Sequence, residues 1–206
     1  MDILESIETR WFVEDEGAAR ALSSWFADVP PEPARVDRYL CTGRDDLGFK
    51  ARRSRGAQAK IEAKYLVGSL GPLEVAPGIT GVLERWTKLS LAADDPRLSQ
   101  QGTWLVVDKR RQLRKLACTD DGAHEVAPDA RPDRGAGLEL TALRYRFGGR
   151  TRRALTLGLE AFGPVATLLP TFQQAACVAF AGCPATTLSS AQSRSYPSWI
   201  ARLPRA

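Results

Sequence analysis

The sequence predicts an α+β fold in which about eight short antiparallel strands form a barrel or sandwich with flanking helices. Most segments alternate apolar and polar residues between Gly, Pro and Asp turns, which is the period of a strand. Only a few stretches carry helical spacing. The polar strand faces mix Arg and Lys with Glu rather than with Ser, Asn and Thr, which favours the closed barrel.

The first strand is Ser6-Ile7-Glu8-Thr9-Arg10-Trp11-Phe12, alternating and rich in β-formers. Glu14, Asp15 and Glu16 then place negative charge where a helix begins, and Ala18, Leu22, Trp25 and Phe26 recur at helical spacing until Pro30-Pro31. Seven alternating segments follow: 35–40, 46–53, 59–66, 81–91, 103–110, 137–146 and 154–162. After Gly163-Pro164, the Ala-rich stretch 165–180 reads as a helix, kinked or started late at Pro170. Residues 183–195 read as a small-polar loop, and 195–200 as a closing segment docked by its aromatics. The whole chain, 1–206, reads as a single domain whose last part, 163–206, is a C-terminal helix and closing segment. Segments 90–102 and 119–137 read as loops.

Composition sets the outer limits. At 44% hydrophobic and 26% charged residues the chain has enough apolar material for a core, which excludes disorder as a whole-chain description. The longest apolar stretch is broken by Pro170, Gln173 and Gln174, so no membrane span is expected. The start shows no basic head before an apolar run, and four cysteines without a CxxC pair give no disulfide scaffold, so a reduced, cytoplasmic protein is expected. One histidine leaves little for a zinc site or a His-based triad. No phosphate-loop motif occurs. Net charge is +5, but residues 1–34 carry −6, so the remainder carries +11, most of it arginine. That makes an anionic partner plausible.

Residues two apart on a strand share a face. One face carries Ser6, Glu8 and Arg10; others carry Lys50 and Arg52, Lys60, Glu62 and Lys64, Lys109 and Arg111, Glu139 and Thr141, and Thr156, Gly158 and Glu160. Downstream of Thr141 the pattern shifts phase and puts Arg144 and Arg146 together, which suggests a bulge or turn. Two readings of these faces compete: a half-exposed sheet wetted on its polar side, or a barrel whose polar faces line a lumen under helices. In the second, Lys and Arg from several strands grip a triphosphate, and glutamates among them make sense if they hold a divalent ion.

The order of these motifs resembles the CYTH family, the triphosphate tunnel metalloenzymes, over most of residues 5–162. The residues concerned are Ser6-Ile7-Glu8-Thr9-Arg10, Arg35-Val36-Asp37-Arg38-Tyr39-Leu40, Gly48-Phe49-Lys50-Ala51-Arg52-Arg53, Glu62-Ala63-Lys64, the Lys109–Arg111 cluster, Glu139 and Gly158-Leu159-Glu160. The resemblance implies an eight-stranded tunnel barrel. It further implies that Arg10, Lys50, Arg52, Lys64, Lys109, Arg111 and Arg144 bind phosphate, and that Glu8, Glu62, Glu139 and Glu160 hold Mg²⁺ or Mn²⁺. The implied activity is metal-dependent hydrolysis of inorganic, nucleoside or thiamine triphosphate. Two departures stand out: Ser6 where the family has its first glutamate, and Arg10 where it has lysine. Losing a carboxylate weakens a metal site, so the alternative is an impaired module that binds polyphosphate, a nucleotide or an RNA end. The expected partner is a polyanionic small molecule, with nucleic acid less favoured.

Overall fold

The computed structural model describes residues 2–53, 60–92, 102–184 and 188–203. Its strands are β1 (Asp2–Val13), β2 (Arg35–Leu40), β3 (Leu47–Arg53), β4 (Lys60–Ala76), β5 (Ile79–Ala92), β6 (Trp104–Thr119), β7 (Gly122–Val126), β8 (Gly135–Phe147) and β9 (Arg150–Phe162). The helices are α1 (Glu16–Trp25), α2 (Leu168–Ala179) and α3 (Tyr196–Ala201). Hydrogen bonding runs β2-β3-β4-β5-β1-β9-β8-β6, and β6 pairs back onto β2. The sheet therefore closes as an eight-stranded, wholly antiparallel barrel, with β7 paired to the far end of β6. Closure removes the sheet edges, which explains why so many short alternating segments are stable together.

Closure gives each strand an inside and an outside. On β1, Ile7 and Trp11 point out and join Leu138, Leu140, Leu157 and Leu159 in a core beneath α1 and α2. Leu22 and Phe26 supply the α1 side, and Phe172, Ala175 and Ala176 the α2 side. Asp15 caps α1, its carboxylate accepting from the Ala18 amide at 2.7 Å. The helix after residue 163 starts late rather than kinking: a 3₁₀ turn spans Val165–Thr167 and Pro170 lies in the first turn of α2, where its missing amide costs nothing. A second cluster fills one end of the barrel, where lumen-facing Phe12, Tyr39, Val107, Leu143 and Tyr145 meet Trp199 and Ile200 of α3. Trp199 stacks on Phe12 and meets Tyr145 edge-on, both at 5.0 Å between centroids. Gly48 permits this docking, since a Cβ there would lie 2.9 Å from Pro197.

Two expectations change. The 119–137 loop contains the β6–β7 hairpin, with Lys115–Thr119 paired to Gly122–Val126. No bulge interrupts β8, whose register to β9 is continuous from Gly135↔Phe162 to Phe147↔Arg150. Residue 59 of the expected 59–66 strand, residues 93–101 of the 90–102 loop, residues 185–187 of the 183–195 loop and the last residues, 204–206, lie outside the described residues. Among the described residues no helix is long and apolar enough to cross a membrane.

Candidate functional site

The inward faces of the eight barrel strands meet round a cavity of about 160 Å³. Among the described residues, nine Lys or Arg side chains line it against four carboxylates. Glu8 and Arg10 come from β1, Lys50 and Arg52 from β3, Glu62 and Lys64 from β4, Lys109 and Arg111 from β6, Glu139 from β8 and Glu160 from β9. Arg35, Tyr39 and Lys88 also line it, as do Tyr196 and Pro197 of α3, and sequence reasoning passed these over. The alternation Arg35-x-Asp37-x-Tyr39 was a usable signal for β2. Tyr196 had none, because its place depends on how the last segment docks.

Register explains the pairing. Arg10 and Glu139 both lie opposite Gly158, one on each side of β9. With no side chain between them, Arg10 Nη2 reaches Glu139 at 2.6 Å; a Cβ at position 158 would lie 2.8 Å from the guanidinium carbon. Arg111 reaches the other oxygen of Glu139 at 3.2 Å and is held from behind by Glu32 at 2.7 Å. Burial pushes the Glu139 carboxyl up, but Arg10, Arg111 and Lys109 together outweigh it and hold the group well below the ordinary carboxylate range.

Lys50 and Glu62 are direct cross-strand partners, 2.6 Å apart, with Arg52 3.8 Å from the same carboxylate. Lys64 reaches past the intervening strand β5 to Glu8 on β1 at 2.6 Å. Lys109 is buried, donates to the Tyr39 hydroxyl at 2.6 Å, stands 3.3 Å from Asp37 and lies 3.7 Å from the Tyr196 ring centroid. Burial pushes its ammonium down to about 7 despite Asp37 and Glu139. Arg35 Nε and Nη1 are buried on the cavity wall with no hydrogen-bond acceptor among the described residues, Nε forming a longer ion pair with Asp37 at 3.6 Å. Glu84 lies opposite Glu8 on β5; burial, with Glu8 adding to it, raises its carboxyl to about 7.

Arg144 is corrected out of the candidate set. Unbroken pairing of β8 puts it on the outer face, 66% exposed, 3.5 Å from the exposed carboxylate of Asp108. Ser6 does face the lumen, opposite Phe162 and Trp86.

The metal that the sequence resemblance implies is not matched by the donor set. Glu8, Glu62 and Glu139 each carry an ion pair of 2.6 Å to a protein cation. Glu160 is held below the ordinary range, burial notwithstanding, by Lys64 and Lys88. Among the described residues no three His, Cys, Asp or Glu side chains are grouped to hold an ion. A resident divalent cation would have to displace Lys or Arg from these carboxylates.

The chain has a tunnel barrel fold. No family model matches it, and no curated protein matches it. Among solved structures it is similar to the PH1012 protein of Pyrococcus horikoshii OT3, with 13% identity, coverage of 96% of this chain and 98% of that one, and a TM-score of 0.47. It is also similar to a Hippeastrum putative adenylyl cyclase described as having dominant triphosphatase activity (13% identity, 82% and 85% coverage, TM-score 0.34). A third is the Pct1 RNA triphosphatase of S. pombe (13% identity, 84% and 80% coverage, TM-score 0.44). At those identities and scores the likenesses decide nothing about chemistry, and the closed barrel rests on its own strand register.

Proposed function

We propose that the lumen binds the phosphate chain of a triphosphate-bearing compound and that the protein hydrolyses its terminal anhydride. The observation that carries this reading is the convergence of nine cationic side chains on one small, partly enclosed cavity. A triphosphate is compact, highly charged and rich in acceptor oxygens, so donors from several strands can reach it at once. Arg35 Nε and Nη1 have no hydrogen-bond acceptor among the described residues, Nε standing 3.6 Å from Asp37. Lys50, Lys64 and Arg10 are held by carboxylates that a phosphate oxygen can replace. Charge developing on the terminal phosphoryl oxygens as water attacks would be met by donors already in place, which is where most catalytic stabilisation comes from.

The chemistry is tested by phosphate release from tripolyphosphate, ATP and thiamine triphosphate, each with EDTA, Mg²⁺ or Mn²⁺. Release in any arm supports hydrolysis, and absence of release in all of them refutes it. A second reading, capture without turnover, is favoured by Ser6 and by the committed carboxylates. It predicts salt-sensitive binding of tripolyphosphate with no phosphate released.

A further inference from the structure

A strongly basic surface lies outside the lumen, at the turn between β8 and β9. Arg144, Arg146, Arg150, Arg152 and Arg153 fall in a stretch with no acidic residue between Glu139 and Glu160. All five are exposed, as is Arg110 on the neighbouring β6. Register puts Arg110, Arg144, Arg146 and Arg153 on the outer face, while Arg150 and Arg152 lie opposite Phe147 and Tyr145 on the other.

This end of the hairpin leaves the barrel. β8 is paired with β6 only as far as Tyr145, because Trp104, Leu105 and Val106 pair with β2 instead. β9 is paired with β1 only from Leu155 onward. Beyond those limits β8 and β9 stay paired with each other, up to Phe147↔Arg150, as a two-stranded ribbon. Phe147 and Ala154 anchor one side of it against the cluster that holds α3. Gly148 and Gly149, both at positive φ, close it in a two-residue turn with nothing within 4 Å of either Cβ position.

The charge here is left uncompensated. Arg144 and Arg153 are direct cross-strand partners, an arrangement of like charges that weakens a sheet. Asp108 gives Arg144 one exposed contact at 3.5 Å, and Glu14, just beyond β1, is taken by Arg194 at 3.7 Å. Among the described residues Arg110, Arg146, Arg150, Arg152 and Arg153 form no ion pair. A partner with closely repeated negative charge relieves that repulsion.

The rest of the ribbon narrows the partner's class. None of its large apolar side chains is exposed, so it lacks both the apolar face that inserts at a lipid surface and the apolar centre of a protein interface. Tyr145 and Phe147 pack with the α3 cluster and give no platform for stacking unpaired bases. A B-form major groove is about 12 Å wide and admits a two-stranded ribbon, whereas the A-form groove is too narrow. We infer that the β8–β9 ribbon is a docking surface for duplex DNA, its bare tip in the major groove and its arginines on the flanking phosphates. Phosphate contacts carry no sequence information, so binding is without sequence preference. The lumen and its ligand take no part.

The test is fluorescence anisotropy of the full chain with a labelled DNA duplex of about 20 base pairs and mixed sequence, from about 50 to 200 mM salt. Wild type should bind, with affinity falling steeply as salt rises. Arg146→Gln combined with Arg153→Gln should weaken binding at least about tenfold at the lowest salt and reduce the salt slope by about two. Lys60→Gln combined with Arg131→Gln removes two exposed charges elsewhere and should leave affinity within about twofold. The ribbon variant loses a like-charge pair, so it should melt no lower than wild type; a lower melting temperature would show that those charges are compensated and overturn the inference. Equal losses of affinity in the two double variants mean that net charge alone attracts DNA, and overturn it too. So do binding of a single strand or of duplex RNA as tight as that of duplex DNA, binding of phosphatidylserine vesicles but not of DNA, and no DNA binding by wild type.

Discussion

Glu139 sits between Arg10 and Arg111 and competes with any anion for both guanidiniums. Changing Glu139→Gln keeps the shape and removes the charge, so stability and affinity should move in opposite directions. Removing one partner of a buried pair costs about 3–5 kcal/mol, and here both side chains are largely buried, at 7% and 12% exposure. The lower figure applies because the guanidiniums border a cavity rather than a dry core. About 3 kcal/mol lowers the melting temperature of a chain this size by about 6–12 °C. Affinity should rise. A like charge about 5 Å from a bound phosphate costs about 3 kcal/mol at an effective dielectric near 20, so removing it tightens binding by at least about tenfold after screening and relaxation. Melting curves and calorimetry with tripolyphosphate measure both quantities. Because the carboxyl is held below its ordinary range in the folded state, its stabilisation is present above that range and lost as pH falls through and below it. Glu139→Gln should therefore be less acid-sensitive than wild type. A fall in tripolyphosphate affinity would refute the competitor role and make Glu139 part of what holds the ligand.

Lys109 is depressed to about 7 by burial, so tripolyphosphate affinity should fall as pH rises from 6 to 8.5, and Lys109→Met should bind weakly with a flattened profile. An unchanged profile in Lys109→Met places that titration elsewhere. Glu84 is raised to about 7 by burial and Glu8, so its contribution is fully present below the ordinary carboxylate range and lost as pH rises through about 7. Urea midpoints at pH 5 and 7.5 should differ less in Glu84→Gln than in wild type; an identical pH dependence would count against that assignment. Arg144→Ala removes an exposed outer charge and should leave tripolyphosphate affinity and melting temperature nearly unchanged, and a loss of binding would put Arg144 back in the site.

Alternation carried most of the barrel. Segments such as 155–160, wholly leucine on one face and Thr156, Gly158 and Glu160 on the other, announce their inside and outside because side chains on a strand alternate by construction. The same regularity placed Glu8, Arg10, Lys50, Arg52, Glu62, Lys64, Lys109, Arg111, Glu139 and Glu160 on the lumen side. It failed at Arg144, where exposed Ala142 and Arg146 follow an apolar stretch. An outward face changes there from helix-covered to wet without any change of phase, and local sequence does not distinguish that from a bulge.

Which cation meets which carboxylate was beyond alternation. Arg10 meets Glu139 only because β9 lies between β1 and β8 with Gly158 at the crossing, and Lys64 meets Glu8 only because β5 lies between β4 and β1. The sequence by itself determined the elements and which residues share each face, because backbone geometry imposes those locally. The tertiary structure alone decided the ion pairs and the docking of α3, since each depends on strand order, register and packing between residues far apart in the chain.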